Sequence, residues 1–535
     1  MTDSPESSQA AEKRISSWSG QKITDIERQT QPANIGMIKD FSDDEVIIGL
    51  EIHCQLDTRT KLFCGCSTDY RDDRPNSHVC PVCLGLPGSL PRVNKKAIEY
   101  ALRVAKALNC TILEESEFSR KNYFYPDLDK GFQITQYDRP LAVKGYLDIE
   151  GEEGEKRVHI TRVHVEEDPG RLVHKGGADR AKYTLVDYNR AGIPLIEIVT
   201  EPDLRSPKEA RRFLNKLRAT LEYLGVFDSE KEGSLRVDAN ISIQPKGWFA
   251  REGKGKEGRG RAEVKNISSY KGVEKALTFE VTRQKNALRR GQRLETETRH
   301  FVEARGVTTA SRSKEMEQDY RYFPEPDLRP LRVCEWAAEI VLPELPDARR
   351  ARFLVQYRCS PNHARTLTGD LRLAEFYEKV AGTDPALAAT WVADTLLGEL
   401  NYRDMSVTRV SPDWFRELIL IVRDGSITDK GGVEALRSLL DQIKETGSCE
   451  TPVECVARLG LGVLKRNGEG GEADDPVVKA ACEVIAEQPQ AVADFHAGKK
   501  EALNFLVGQV MKKTRGCAKP ADVNQVLLGI LTREG

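Results

Sequence analysis

Four stretches of this 535-residue chain alternate apolar and polar residues with the two-residue period of a β-strand. Their polar positions carry carboxylate, imidazole, amide and basic groups: Glu51, His53 and Gln55 in residues 46–56; Arg162, His164 and Glu166 in 158–168; Arg236, Asp238 and Asn240 in 234–243; Glu263 and Lys265 in 261–266. A half-solvated antiparallel sheet also alternates, so a wet outer face explains any one stretch alone. Four together favour a site for Mg²⁺ and phosphate, because Mg²⁺ takes oxygen ligands and bridges to substrate phosphates.

Length and charge limit the class of protein. At 535 residues the chain exceeds one ordinary hydrophobic core, which predicts roughly two to four domains. The 81 basic and 83 acidic residues nearly cancel, so any contact with nucleic acid must come from local patches. No apolar run approaches the roughly 18 residues of a membrane span. Residues 1–44 are polar and mixed in charge, which predicts a disordered leader without the apolar core of a signal peptide.

Four of the 12 cysteines form two close pairs, Cys64 with Cys66 and Cys80 with Cys83. Four soft thiolates predict a structural, tetrahedral Zn²⁺ centre, although the first pair has one intervening residue where zinc ribbons usually have two or more. Four reduced cysteines lining a loop are the alternative. The other cysteines are scattered and are expected to be small buried hydrophobes. This cysteine usage favours a reducing cytoplasm over a disulfide framework.

The pattern of elements changes along the chain. Up to about residue 335 it is strand-rich, with clear helices only at 94–109 and 207–224, the second with Ser206 as N-cap and Pro207 as first helical residue. After about residue 345 the apolar spacing becomes helical. The sequence thus predicts an α+β protein with a leader (1–44), a β-rich domain (45–340), a helical domain (341–466) and a helical tail domain (476–535). Gly-rich residues 246–261 are expected to form a hairpin tip, and 468–476 a linker.

The last strongly helical pattern, residues 502–516, ends in the basic residues Lys512, Lys513 and Arg515. Basic side chains in a last turn either complement the helix dipole or bind phosphate, and the sequence favours neither.

Long motifs in unbroken order carry a resemblance to a known family. They lie at residues 49–53, 118–138, 164–168, 187–190, 236–240, 263–269, 319–327 and 505–512. With them, the chain from about residue 46 to its C-terminus closely resembles the B subunit of the aspartyl/glutamyl-tRNA(Asn/Gln) amidotransferase.

The resemblance implies a cradle-shaped catalytic domain, a helical domain and a tail domain that holds tRNA. In that family this subunit uses ATP to phosphorylate the side-chain carboxylate of misacylated Glu-tRNA(Gln) or Asp-tRNA(Asn), and ammonia then replaces the phosphate. The expected enzyme is a carbon–nitrogen ligase with glutamine as amido donor. Phosphoryl transfer depends mainly on Mg²⁺ and positioned cations, which agrees with the residue types on the four strands.

The resemblance also assigns residues by position. It implies Mg²⁺ ligands at Glu51, His53, Glu166 and Glu167. In a regular strand Glu167 points away from Glu166, so it is expected to come in through the turn at residues 168–169. Contacts to the nucleotide and the aminoacyl end are implied for Arg120, Lys121, Asn122, Tyr123 and Tyr125, and a phosphate cage for Arg236, Asp238, Asn240, Glu263 and Lys265. Lys121, Asp238 and Lys265 are expected to be catalytic together with the four Mg²⁺ ligands. Core packing is the alternative for Tyr123 and Tyr125.

Two motifs are missing from the sequence, and they bear on ATP and on partners. No P-loop pattern occurs, so ATP is not expected to bind in the Walker manner. The Ser-rich amidase signature of a glutaminase is also missing, which in this family implies ammonia from a separate A subunit, the pair being braced by a small C subunit.

Residues 332–342 leave no room for the large insertion of a related archaeal paralogue, so the B-type chain is favoured.

Two other functions compete with this interpretation. A tRNA-binding scaffold without catalysis is disfavoured by the intact acidic and basic set, since like charges facing one another are costly to keep. An ATP-dependent ligase for a small carboxylic acid would not need the basic tail. The sequence does not distinguish Asp-tRNA(Asn) from Glu-tRNA(Gln) as substrate.

Overall fold

The computed structural model describes residues 44–174, 183–231, 233–248, 259–267, 269–310, 320–382, 384–462, 475–514 and 517–532. The expected leader lies outside these residues except for Asp44. Residues 249–258 of the expected hairpin tip, 468–474 of the expected linker, and Arg515 also lie outside them. None of the helices in the described ranges is both long and apolar enough to cross a membrane.

The strands of the described residues belong mostly to one large sheet. They are β1 (Asp44–Gln55), β2 (Thr111–Ile112), β3 (Ser119–Asn122), β4 (Phe132–Thr135), β5 (Ala142–Glu150), β6 (Glu155–Glu167), β7 (Arg171–His174), β8 (Thr184–Asp187), β9 (Pro194–Thr200), β10 (Leu235–Pro245), β11 (Ala262–Ile267), β12 (Glu297–Val302), β13 (Val307–Ala310) and β14 (Phe323–Pro324). The main sheet has nine strands in the order β13-β12-β11-β10-β1-β9-β6-β5-β2. β1 therefore lies at its centre, between β10 and β9, and is antiparallel to both.

Helices lie between the strands in the first part of the chain and make up the named elements after β14. They are α1 (Lys95–Ala107), α2 (Pro207–Tyr223), α3 (Tyr270–Arg289), α4 (Val333–Glu339), α5 (Pro346–Gln356), α6 (Pro361–Thr368), α7 (Leu371–Val380), α8 (Pro385–Thr390), α9 (Leu397–Arg403), α10 (Pro412–Arg423), α11 (Asp429–Thr446), α12 (Pro452–Leu459), α13 (Pro476–Glu487), α14 (Pro489–His496), α15 (Lys500–Lys513) and α16 (Pro520–Leu531). A π-helical turn, Trp391–Leu396, joins α8 to α9. The β-rich first part and the helical second part confirm the predicted α+β class.

One face of the main sheet is apolar and is covered by helices. Ile48, Leu50 and Ile52 of β1 are fully buried there, and α1, α2 and α3 pack over the sheet. The helices predicted at 94–109 and 207–224 are confirmed as α1 and α2. The Ser206 side chain accepts a hydrogen bond from the Glu209 N–H, which caps α2 as its sequence predicts. This packing leaves the opposite, polar face of the sheet available for a site.

A small sheet of β14, β3 and β4 is attached to the end of β6. The Gln133 side chain donates to the backbone carbonyl of Glu167 (2.7 Å), and the Ile134 N–H donates to its carboxylate (2.9 Å). Thr135 donates to the carboxylate of Glu166 at 3.1 Å. β4 thereby fixes the small sheet beside the polar face.

Three apolar clusters of the described residues follow one another along the chain. The first contains the sheet and α1 to α3, the second lies among α5 to α12, and the third lies among α13, α15 and α16. Tyr223, at the end of α2, packs in the second cluster and donates to the carbonyl of Thr368 at 3.1 Å. The domain boundaries near 341 and 476 stay a prediction, which these separate clusters support.

A buried ion network fixes α3 to the edge of the sheet. The fully buried carboxylate of Glu280 pairs with Arg283 at 2.8 Å and with Arg299 of β12 at 2.9 Å, and accepts from Thr308 of β13. Burial alone would raise the pKa of Glu280, but the hydrogen bonds from Arg283 and Thr308 outweigh it and lower the pKa. The carboxylate is therefore held in its charged form.

We expect Glu280→Gln to lower the free energy of unfolding of the β-rich part by about 3 kcal/mol, because Arg283 and Arg299 lose their fully buried counter-charge and keep only the partly buried Glu297. Since the folded pKa is depressed, the contribution of Glu280 is present above its ordinary pKa of 4.5 and is lost as the pH falls through the folded value. Urea unfolding at pH 7 and below pH 4 measures both effects. The exposed Glu295→Gln is the control, and equal stability of the two variants at pH 7 would contradict the expectation.

Candidate active site

The register of four neighbouring strands aligns polar side chains in one row. Glu197 of β9 lies directly opposite His53 of β1 on one side and His164 of β6 on the other. Arg236 of β10 lies opposite His53 on its remaining side. Because residues opposite each other share a face, all four side chains project from the polar side of the sheet. In the next row, Glu51 lies opposite Asp238.

Two histidines and two glutamates converge at the centre of this face. The Nε2 atom of His53 lies 3.4 Å from the Glu197 carboxylate and 3.9 Å from that of Glu166. The Nε2 atom of His164 lies 3.5 Å and 3.7 Å from the same two carboxylates. His164, Glu166 and Glu197 are all buried. The predicted residues His53 and Glu166 are thus brought together, and Glu197 joins them.

The carboxylates and histidines of this cluster shift one another's pKa values. Burial opposes ionisation of Glu197 and Glu166, but His164 and His53 outweigh it, so the pKa of each carboxyl is lowered. Burial also opposes a charged His53, yet the hydrogen bond and attraction of Glu197 raise the pKa of the imidazole. Both carboxylates are therefore ionised in a largely water-excluded place, which is costly unless a positive charge is close.

This donor set fits a divalent cation. One ligand atom each from His53, Glu166 and Glu197 lies within 4.8 Å of the others. The two carboxylates suit Mg²⁺ or Mn²⁺, which take several oxygen ligands and leave positions for water or phosphate, whereas the imidazole is a nitrogen ligand more typical of transition metals. The Nδ1 atom of His164 is buried and has no hydrogen-bond partner among the described residues.

A second group of predicted residues lies beside this cluster. Lys265 pairs with Glu263 at 2.8 Å and lies 3.7 Å from Asp238, while Asn240 donates to Glu51 at 3.3 Å. Burial raises the pKa of Glu51, and repulsion from Glu197, Asp238 and Glu263 raises it further. Four of the expected phosphate-cage residues, from Asp238 to Lys265, are therefore assembled around Glu51.

Arg236 is tied to a buried carboxylate. Its guanidinium contacts Asp168 at 2.6 Å, and Gln55 donates to the same carboxylate at 2.6 Å. Burial opposes the ionisation of Asp168, but attraction by Arg236 and Arg190 outweighs it and lowers the pKa. Arg236 is half-buried and opposite His53, so it presents a fixed positive charge to the cluster.

The structure does not place Glu167 where the sequence analysis expected it. Its carboxylate pairs with Lys130 at 2.8 Å and accepts from the Ile134 N–H, instead of turning in beside Glu166. Glu167 still belongs to β6 and pairs with Pro194 of β9, so the alternation of the strand directs it to the other side. It lines a cavity of about 210 Å³ together with Lys61, Lys130 and Cys83.

Two residues of the expected nucleotide segment are engaged within the protein. Arg120 forms two hydrogen bonds of 2.7 and 2.8 Å to the fully buried carboxylate of Glu325. Asn122 donates to the carbonyl of Arg321 at 2.8 Å. Both contacts join β3 to the segment around β14, so in this structure these side chains position the small sheet.

Lys121 and Tyr123 of that segment contact Tyr320, and we call the Tyr123 and Tyr320 rings the aromatic wall. The Lys121 ammonium lies 4.7 Å from the centre of the Tyr320 ring, and Tyr123 meets Tyr320 edge-on at 5.9 Å. Burial raises the pKa of Tyr123, and the negative charges of Asp127 and Glu166 act in the same direction. Tyr123 is therefore half-buried close to the acidic cluster, whereas Tyr125 is 57% exposed and does not pack in the core.

Sequence reasoning missed Glu197, Tyr320 and Tyr322 as site residues. Glu197 is the single charged residue of the apolar run Pro194–Thr200, and that isolation was the available signal. The Tyr322 ring stacks on Tyr137 at 4.0 Å, and its environment includes Glu166 and Glu197. Tyr320 and Tyr322 reach the site only because β14 pairs with β3, which no local pattern indicates.

The four paired cysteines converge as their spacing predicts. One sulfur each from Cys64, Cys66, Cys80 and Cys83 lies within 4.8 Å of the others. A tetrahedral Zn²⁺ centre with bonds of about 2.3 Å would have sulfurs about 3.8 Å apart, which is compatible with this grouping. These sulfurs lie outside the polar row of the sheet, and those of Cys64 and Cys83 line the cavity that also contains Glu167.

The basic end of α15 is partly neutralised. Lys513 pairs with Glu483 at 2.9 Å and with Glu487 at 2.6 Å, both on α13. Lys513 therefore has a structural contact with a neighbouring helix. The structural alternative in the sequence analysis was different, since it had the basic residues complement the dipole of their own helix.

Comparisons with known proteins agree on one family. A family model described as the GatB/GatE catalytic domain matches residues 46–339, and one described as the GatB domain matches residues 375–531. The B subunit of the aspartyl/glutamyl-tRNA(Asn/Gln) amidotransferase from Methanospirillum hungatei is 68% identical over 494 residues, which cover 92% of this chain and 100% of the relative. Its counterpart in Methanoregula boonei is 65% identical over 498 residues, covering 92% and 99%. The counterpart in Haloquadratum walsbyi is 54% identical over 495 residues, covering 91% and 97%.

These matches confirm the resemblance that the motifs indicated. The catalytic-domain model covers more than half of the chain, and the relatives align over nearly their whole length. The chain belongs to the family of aspartyl/glutamyl-tRNA(Asn/Gln) amidotransferase B subunits.

Proposed function

We propose that this chain phosphorylates the side-chain carboxylate of aspartate or glutamate on misacylated tRNA(Asn) or tRNA(Gln), using ATP, and that ammonia then displaces the phosphate to form the amide. The observation that carries the proposal is the convergence of His53, Glu166 and Glu197 beside a set of positioned cations and carboxylates. Phosphoryl transfer requires little covalent chemistry from a protein, since positioning and charge stabilisation supply most of the catalysis.

The chain's own residues divide this work by charge. His53, Glu166 and Glu197 would hold Mg²⁺, with Glu51 close by; when bound, the ion neutralises phosphate oxygens and orients them. Arg236, fixed by Asp168, and Lys265, fixed by Glu263, offer positive charge from the neighbouring strands β10 and β11. Lys121 extends this set from the aromatic wall. Asp238 and Glu263 keep Lys265 charged and directed, since their attraction raises its pKa against the effect of burial.

The nucleotide has a suitable place next to these groups. A cavity of about 300 Å³ adjoins Glu51 and is lined by Gly49, Pro202, Asn240 and Arg261. Gly49 brings no side chain to this surface, so a flat ring can approach the strand. We place the adenosine of ATP here, with its phosphates toward the central cluster. This arrangement needs no P-loop, in line with the sequence.

Ammonia and tRNA come from outside the cluster. We propose that a glutaminase A subunit supplies ammonia from glutamine and that the heterotrimer is completed by a small C subunit, since the sequence has no amidase signature of its own. The helical tail, 476–535, would bind the tRNA, and the complex would act in the cytoplasm. Zn²⁺ on the four cysteines would be structural, because four protein ligands leave no open position.

A non-catalytic tRNA-binding scaffold is the second candidate. It would not need Glu51, Glu166, Glu197, Asp238 and Glu263 on one sheet face, where burial and then repulsion from its acidic neighbours raise the pKa of Glu51. Decay of the catalytic function would be expected to remove some of these charges.

The direct test is amidation of Asp-tRNA(Asn) and Glu-tRNA(Gln) with ATP, Mg²⁺ and ammonium chloride, with and without the A and C partners. We expect product with at least one tRNA and a lower but measurable rate without the glutaminase, since free ammonia bypasses it. The tRNA that is preferred identifies the substrate. Binding of both tRNAs without amidation of either would favour the scaffold.

We expect Glu197→Gln and Glu51→Gln to lower kcat/KM for amidation by at least about 100-fold, because each removes a charge that acts on the phosphates or their cation. ATP hydrolysis and amide formation, followed separately, show that the phosphoryl step is affected. The control is Glu201→Gln, whose exposed carboxylate accepts from Thr161 at 2.7 Å beside the same strand. Wild-type rates in Glu197→Gln would contradict its role.

We expect the purified chain to contain about one Zn²⁺ and Cys83→Ser to contain much less, because the centre needs all four thiolates. Metal analysis by mass spectrometry measures this, and thermal unfolding shows the accompanying loss of stability. Cys482→Ser is the matched control, since Cys482 is exposed and far from the cluster in sequence. A chain that folds normally and never carries zinc would contradict the assignment.

We expect deletion of residues 476–535 to abolish the stimulation of ATP turnover by misacylated tRNA, because the tail would hold the tRNA. Its own apolar cluster makes removal tolerable for the remainder. Kinetics at rising tRNA concentration separate weaker binding from slower chemistry. Unchanged turnover with a small carboxylic acid and no response to tRNA in the full chain would instead support the small-acid ligase.

A further inference from the structure

A fully buried lysine lies against the four-cysteine centre. The Lys61 ammonium donates to the carbonyl of His78 at 2.8 Å and to that of Tyr188 at 3.3 Å, and contacts the sulfur of Cys83 at 3.6 Å. The whole residue is inaccessible to solvent. A buried ammonium is costly unless negative charge compensates it.

The described residues give Lys61 no carboxylate partner, and in this it differs from its neighbour Lys130. Lys130 lines the same cavity and is also close to Cys83, but its ammonium pairs with the Glu167 carboxylate at 2.8 Å. For Lys61, the two carbonyls satisfy hydrogen bonds without supplying net charge. The nearest source of negative charge in its contacts is the cysteine cluster.

The backbone of the same residue is attached to the other cysteine pair. The Lys61 N–H donates to the carbonyl of Cys66 at 3.0 Å. Lys61 thus contacts one member of each pair, Cys66 through its backbone and Cys83 through its side chain. Thirteen residues separate Cys66 from Cys80, so a residue that contacts both pairs fixes their relative position.

We propose that Lys61 is the built-in counter-ion of the four-cysteine metal centre and positions its two halves. The inference rests on the proposed zinc site and goes beyond it. Four thiolates around Zn²⁺ carry a formal net charge of roughly −2, and hydrogen bonds and positive charge from surrounding groups tune such a centre. The Lys61 ammonium, which is fully buried, supplies this compensation to the sulfur of Cys83.

Contacts also lead from Lys61 and the four-cysteine centre to Arg236 of the candidate active site. Tyr188, whose carbonyl accepts from Lys61, begins the turn that contains Arg190. Arg190 donates to the carbonyls of Pro169 and Gly170 and lies 3.8 Å from the buried Asp168. Asp168 in turn fixes Arg236. A metal centre held by Lys61 therefore contributes to the placement of a cation that faces the central cluster.

The test compares Lys61→Met, which removes charge and hydrogen bonds, with Lys61→Gln, which keeps an N–H donor for the carbonyls. Both are made in the full chain, with the exposed Lys96→Met as control. Zinc affinity is measured by competition with a chromogenic chelator at one fixed pH. We expect both Lys61 variants to bind zinc about 10- to 100-fold more weakly and Lys96→Met to bind it normally.

Two further readouts separate charge compensation from ordinary packing. In Co²⁺-loaded chains, the sulfur-to-metal charge-transfer band is expected to move to lower energy in both Lys61 variants, because a thiolate relieved of its ammonium is more electron-rich. The loss in Tm is expected to be larger in zinc-loaded than in chelator-stripped Lys61→Met. Wild-type zinc affinity in Lys61→Gln, or equal losses of Tm in loaded and stripped protein, would overturn the counter-ion role. A wild-type chain that binds no zinc would overturn the metal centre itself.

Discussion

The pairing of β1 with β9 on one side and β10 on the other determines the rest of the candidate site. It places His53 between Glu197 and Arg236, and Glu51 opposite Asp238. The side-chain period of a strand is two, so a shift of one residue in this register would turn every one of these groups toward the helices. The apolar face prevents that shift, because Ile48, Leu50 and Ile52 would then lose their buried positions.

Several carboxylates lie close together on the polar face of the sheet, and each affects the ionisation of the others. Glu197 and Glu166 stay ionised through the two histidines, whereas burial and repulsion raise the pKa of Glu51. Fixed cations, Arg236 on Asp168 and Lys265 on Glu263, limit the repulsion without cancelling it. Two buried carboxylates held in their ionised form are suitable ligands for a divalent cation.

Supporting structure around the sheet keeps these groups in place. Arg120 and Asn122 join β3 to the segment that carries Tyr320 and Tyr322, and β4 is bonded to the end of β6. On another side, contacts run from Cys83 through Lys61 and the Tyr188 turn to Asp168. Some charged residues therefore face the site, and others connect the segments that surround it. The charge of a residue alone does not show to which of these two groups it belongs.

The sequence by itself determined four strands of the main sheet, their polar faces and the resemblance to the family. Alternation is a local property, so Glu51, His53, Glu166, Asp238 and Lys265 were identified before any pairing was known. The α+β class, α1, α2 and the meeting of the four cysteines followed from equally local patterns. Only the tertiary structure decided that Glu197 completes the cluster. The residues before and after it in β9 are apolar, so the strand shows no alternation of apolar and charged residues. The tertiary structure also decided that Glu167 faces Lys130, and that Tyr322 reaches the site. These outcomes depend on which strands lie side by side, and contacts between residues distant in sequence set that order.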